Sequence, residues 1–114
     1  MSDCYDIDGN PIDLMTWAKL FEQKRKDGYG DIGKTDLENG LFVSTVWLGL
    51  DHGFSGKPLI FETMVFDQTD AEHDGSNLDC ERYSTKEEAN KGHEEMCEKW
   101  KAKKPFLFVR DKCN

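Results

Sequence analysis

The sequence predicts an α+β domain: a mostly antiparallel sheet of four to five strands with two amphipathic helices packed on it, at about residues 13–26 and 85–101. Three observations lead there. A 3.6-residue apolar repeat opens the chain, several β-branched and aromatic runs follow, and a second helical repeat precedes a last short apolar run. The connections between the runs are rich in Gly, Asn and Asp, as expected where neighbouring strands turn back on one another. The 114 residues include seven Phe, three Trp and three Tyr, enough apolar volume for one core, so residues 1–114 read as a single domain.

The first helix is signalled by Leu14, Trp17, Ala18 and Phe21 at 3/4 spacing on one face. Asp13 is placed to cap its first turn, and Ile12 with Trp17 to staple it. Lys24, Arg25 and Lys26 complement the dipole of the last turn before Gly28 and Gly30 stop the helix. Asn39-Gly40 then lies between residues 33–37 and 41–50, a two-residue hairpin signal of type I′. The runs 42–48 and 59–66 are apolar on both faces, which makes them central strands. A shorter strand is expected at 78–83. Ser84 or Thr85 caps the second helix, with a Glu three residues on closing a capping box, and Ala89, His93, Met96, Cys97 and Trp100 form its packing stripe. Pro105 ends it, and residues 106–109 read as a last strand.

The charge is polarised. The net value is −8, but residues 99–112 hold six bases and one acid while the first 98 residues hold nine bases and 22 acids. Residues 67–81 concentrate six of those acids (Asp67, Asp70, Glu72, Asp74, Asp79, Glu81) without a base. Such a field repels nucleic-acid backbones and attracts basic surfaces. No apolar stretch approaches the roughly 20 residues of a membrane span, and the opening six residues lack the basic start and apolar run of an export signal. The expectation is a cytoplasmic protein with Cys4, Cys80, Cys97 and Cys113 as reduced thiols.

Four constellations bear on chemistry. Asp70, Glu72, Asp74, Gly75 and Glu81 occupy positions 1, 3, 5, 6 and 12 of a calcium-loop pattern, although Glu at position 3 and Asn77 at position 8 depart from it; the plain reading is a solvated acidic loop between strands. Cys80, His93 and Cys97 have a knuckle-like spacing without a clear fourth ligand for zinc. Asp51, His52, Glu62 and His93 would make an acid/base or metal cluster if they converged, while Glu62 could equally face a base such as Arg82. Tyr29 and Phe54, outside the periodic core, are candidate partner contacts. Phosphate loops, nucleophile elbows and zincin motifs are missing from the sequence.

The stretch 42–52, then 58–66, Arg82-Tyr83-Ser84-Thr85, Glu87-Glu88-Ala89 and Gly92-His93, resembles a family of small phage and prophage proteins of unassigned activity, with a weaker echo in residues 8–12 and Trp17-Ala18. The resemblance covers about residues 41–97. It implies an accessory product working inside an infected bacterium, with no catalytic assignment, and Asp51, His52, Glu62 and His93 belong to the shared pattern whereas the acidic loop and the cysteines do not. The expected function is that of a non-enzymatic, cofactor-free, acidic binder of a host bacterial protein with a basic surface, a CRISPR nuclease or similar defence effector, with Asp67, Asp70, Glu72, Asp74, Asp79 and Glu81 mimicking nucleic acid. The alternative is a small metal-dependent hydrolase or nucleotide-binding protein using Asp51, His52, Glu62 and His93.

Overall fold

The computed structural model describes residues 3–51, 56–68 and 77–101. Its elements run β1 (Cys4–Tyr5), β2 (Pro11–Ile12), α1 (Leu14–Asp27), β3 (Asp31–Asp36), β4 (Leu41–Trp47), β5 (Phe61–Asp67), β6 (Asp79–Tyr83) and α2 (Lys86–Trp100). The fold is α+β, as predicted. β3-β4-β5-β6 form one antiparallel sheet in sequence order, and β1 and β2 form a small second ladder that the sequence did not announce. The two doubly apolar runs do occupy the centre of the sheet. The strand expected at 106–109 lies outside the described residues.

α2 lies across one face of the sheet. Its capping box is the predicted one, with Thr85 accepting from Glu88 N and the Glu88 carboxylate accepting from Thr85 N. Ala89, Gly92, Met96 and Trp100 are buried, and His93 and Cys97 sit half-buried between them, so the predicted stripe is the packing face. Under it, Leu41, Val43, Val65, Leu78, Met96 and Trp100 form one apolar cluster. Trp47, Ile60, Phe61 and Ala89 form another, against which Trp17, Leu20 and Phe21 of α1 pack together with Tyr5, Ile7 and Tyr29.

Two local expectations change. The turn 37–40 is not a type I′ hairpin: Gly40 N donates to Leu37 O, Leu37 N donates to Leu41 O, and only Gly40 has positive φ. That is a type I turn closed by a glycine bulge, which suits Asn39 because it needs no left-handed residue before Gly40. Asn39 instead accepts from Leu41 N and donates to Trp100 O, tying the turn to the end of α2. In α1, which is capped by Asp13 and stopped at Gly28 as expected, no residue is fully buried; Leu14 and Ala18 face solvent and Leu20 replaces them against the core. The helix packs over the end of the sheet rather than across its face, so only a narrow stripe is covered. Its anchor is Trp17, whose indole donates to Leu48 O across the left-handed Gly49, where any Cβ would strike Trp47 and Trp17. No helix among the described residues is long and apolar enough to cross a membrane.

Candidate functional site

Side chains alternate across a strand, so the register decides which polar residues meet. Gly33, Thr45 and Thr63 are consecutive partners on the face beneath α2. The absence of a Cβ at Gly33 makes room for the His93 imidazole, whose ring atoms lie 3.0 Å from where that Cβ would be. His93 Nδ1 sits 2.7 Å from Thr45 Oγ1 and Nε2 sits 2.9 Å from Thr35 Oγ1. Thr45 is hydrogen-bonded to Thr63, and the Tyr83 phenol lies beside Thr63 and the Cys97 thiol beside Thr35. One row of polar side chains thus crosses all four strands and separates the two apolar clusters. Each hydroxyl both donates and accepts, so a neutral imidazole satisfies the row through both nitrogens. Desolvation lowers the His93 pKa against a smaller opposing influence from Glu94, and desolvation raises those of Cys97 and Tyr83. The row is therefore held uncharged. With both ring nitrogens engaged by the protein's own hydroxyls and the thiol kept protonated, it supplies neither a metal ligand nor a nucleophile.

Of the four residues expected to converge, Glu62 is kept apart from His93. Glu62 lies next to Thr63 and therefore on the opposite face of the sheet, where it is paired in register with Arg82 and accepts from its Nε at 3.0 Å. This is the base expected in the plainer reading, and it makes Glu62 half of a buried ion pair. Asp51 uses its carboxylate to accept from Leu59 N, closing the loop between β4 and β5, while His52 falls outside the described residues. The sheet itself stands between Glu62 and His93.

The two metal patterns fare similarly. A calcium loop of this type joins two helices. Here the segment is flanked by β5 and β6, and Glu81, its twelfth position, is an exposed strand residue opposite Thr63; Asp70, Glu72 and Asp74 lie outside the described residues. Cys80 pairs with Met64 on the outer face, away from His93 and Cys97, and is disulfide-bonded, so it cannot join them as a zinc ligand. Four reduced thiols are thus not what the structure holds; Cys4 and Cys97 are outside any disulfide. Among the described residues no group of three or more His, Cys, Asp and Glu is arranged to hold a metal ion.

The acidic surface is also redistributed. Asp67 is buried at the end of β5, and Asp79 is buried at the start of β6. Asp79 Oδ2 accepts from Lys99 Nζ at 2.6 Å and from the Trp100 indole at 2.9 Å, and Oδ1 accepts from Cys80 N. Burial pushes the Asp79 pKa up, but these donors more than offset it and hold the carboxyl below its ordinary value. Both acids are structural rather than available to a partner. Tyr29 is half-buried, edge-on to Trp47 with its hydroxyl accepting from Ile7 N; Phe54 falls outside the described residues. Of the acids expected to meet a partner, Glu81 remains exposed among the described residues. The Thr35–Thr45–Thr63 row was missed because threonine in a strand reads as ordinary β propensity. Its signal was present in Thr45 and Thr63 within otherwise apolar central strands.

No family model, no curated protein and no solved structure matches this chain.

Proposed function

We propose that the chain is a phage accessory protein that binds a basic surface of a bacterial host protein, a nucleic-acid-binding defence effector such as a CRISPR nuclease being the target class, and that it works in the host cytoplasm. The observation that carries this reading is residues 67–81, six acids without a base, strung between the adjacent strands β5 and β6. The scaffold supports it by anchoring the two ends: Asp67 is buried in the ladder, and Asp79 is clamped by Lys99 and Trp100. The remaining acids of the segment, Asp70, Glu72, Asp74 and Glu81, are the ones assigned to the partner, where they occupy a Lys/Arg-lined channel. The polar row at His93 favours this reading over hydrolysis, because its protonatable groups are consumed internally.

Affinity capture from host lysate followed by binding measurements tests the proposal. The expected result is a basic, nucleic-acid-binding partner whose affinity falls as salt rises from about 50 to 200 mM and is lost when Asp70, Glu72, Asp74 and Glu81 are changed together to Lys. Binding that ignores both salt and charge reversal overturns it.

A further inference from the structure

At the end of the sheet opposite Asp67 and Asp79, α1 begins with two large apolar side chains in solvent. Leu14 is 68% exposed and Met15 69% exposed. Beside them lies an open cleft of about 630 Å³ whose walls include Pro11, Ile12, Leu14 and Leu50 together with Asp3 and Asp13. The cleft is built on fixed backbone. β1 pairs with β2, Cys4 bridges to Leu50, and Asp51 N donates to Asp3 O. The charge around it is mainly negative: residues 3–18 contain Asp3, Asp6, Asp8 and Asp13 and no base, with Lys19 the cation that acts on Asp13. The Asp13 carboxylate is held ionised by its hydrogen bonds from Thr16, which lower its pKa.

We infer that this cleft is a docking surface for a cationic amphipathic segment of a partner protein, one or two large aliphatic side chains flanked by Lys or Arg. The aliphatic groups cover Leu14 and Met15 and fill the cleft, which removes apolar surface from water, and the flanking cations meet Asp3 and Asp13, which sets orientation and speeds encounter. An apolar segment flanked by acids meets repulsion at the same carboxylates. The seven residues of β4 separate the cleft from Asp67 and Asp79 at the other end of the sheet. The docking surface therefore does not rest on the function assigned to residues 67–81, and each is tested by its own substitutions.

The test titrates the full chain with a synthetic helical peptide of Leu and Lys, and with the same peptide carrying Glu for Lys, while following methyl and amide resonances. The Lys peptide is expected to shift Ile12, Leu14, Met15 and Leu50, with affinity weakening as salt rises. Leu14→Ser with Met15→Ser is expected to weaken it by at least about tenfold, a change of about 1.4 kcal/mol, with the melting temperature retained because both side chains are exposed. Asp3→Asn with Asp13→Asn is expected to weaken it as well, since Asn keeps the helix cap and removes the charge. Equal affinity for the Glu peptide, or shifts confined to other residues, overturns the inference. So does self-association in sedimentation that Leu14→Ser and Met15→Ser abolish, because the occupant is then a second copy.

Discussion

His93 carries the molecule's clearest pH dependence. Its neutral form is the one that Thr35 and Thr45 hold, partial burial against Gly33 disfavours the charged form, and Glu94 on its own helix is the charged neighbour that partly opposes the shift. Thr63, Tyr83 and Cys97, the other members of the row, stay uncharged through the same range. Because the folded pKa lies below the ordinary histidine value near 6.5, the unfolded chain takes up a proton first. Stability is therefore complete above about pH 6.5 and declines as the pH falls from there through the lower folded value. Urea denaturation across that window checks this. His93→Gln is expected to be less stable at neutral pH but to lose the His93 part of the decline; an unchanged slope would assign it elsewhere. The residue's type and helical position were readable in the sequence. Its partners were not, because Thr35, Thr45 and Thr63 come together only through strand register.

At the scale of elements, the close approach of α2 to β6 rests on Gly92. A Cβ there would lie 2.2 Å from Tyr83 Cζ and 2.3 Å from its Oη, so even the smallest side chain must push the helix or the phenol. Two effects compete in Gly92→Ala. Alanine improves helix propensity by about 1 kcal/mol, while overpacking a fitted contact costs about 1–3 kcal/mol. The contact is expected to win, with a net loss of about 1 kcal/mol in chemical denaturation and a displaced Tyr83 ring. A net gain would show that the ring moves aside freely. The predicted α2 stripe was correct because local periodicity and capping determine a helix face. α1 followed its caps and kept Trp17 and Phe21 of its predicted face, but Leu20 packs where Leu14 and Ala18 were expected, since which side of a short helix is covered depends on where the chain lays it.

For the whole molecule, charge and oxidation state set the testable behaviour. The net −8 divides into an acidic body and a basic stretch at 99–112, and the structure links them through Lys99 on Asp79. The disulfide at Cys80 gives a direct measurement. In the unfolded, unreduced protein a maleimide is expected to label Cys4 and Cys97, with Cys80 modified only after reduction. Peptide mass mapping reads this out, and labelling of Cys80 without reductant contradicts it. The cytoplasm normally keeps thiols reduced, so a Cys80 disulfide that persists in protein from a cytoplasmic extract counts against the proposed location.

By itself the sequence determined the α+β class, the caps of both helices, the central placement of the two apolar strands and the uneven charge. All of these follow from short-range periodicity, turn chemistry and composition, which act within a few residues. Only the tertiary structure decided the placement of the polar groups. Glu62 and Thr63 are neighbours in the chain yet face opposite sides of the sheet, so one meets Arg82 and the other joins the His93 row. Asp79 and Glu81 share one strand and one charge, yet the first is buried against Lys99 and Trp100 while the second faces water. Pleat separates the first pair onto opposite faces; the second pair shares a face, and there contacts made across long sequence separations, Lys99 and Trp100 on Asp79, decide which charge is spent inside the fold and which is left for a partner.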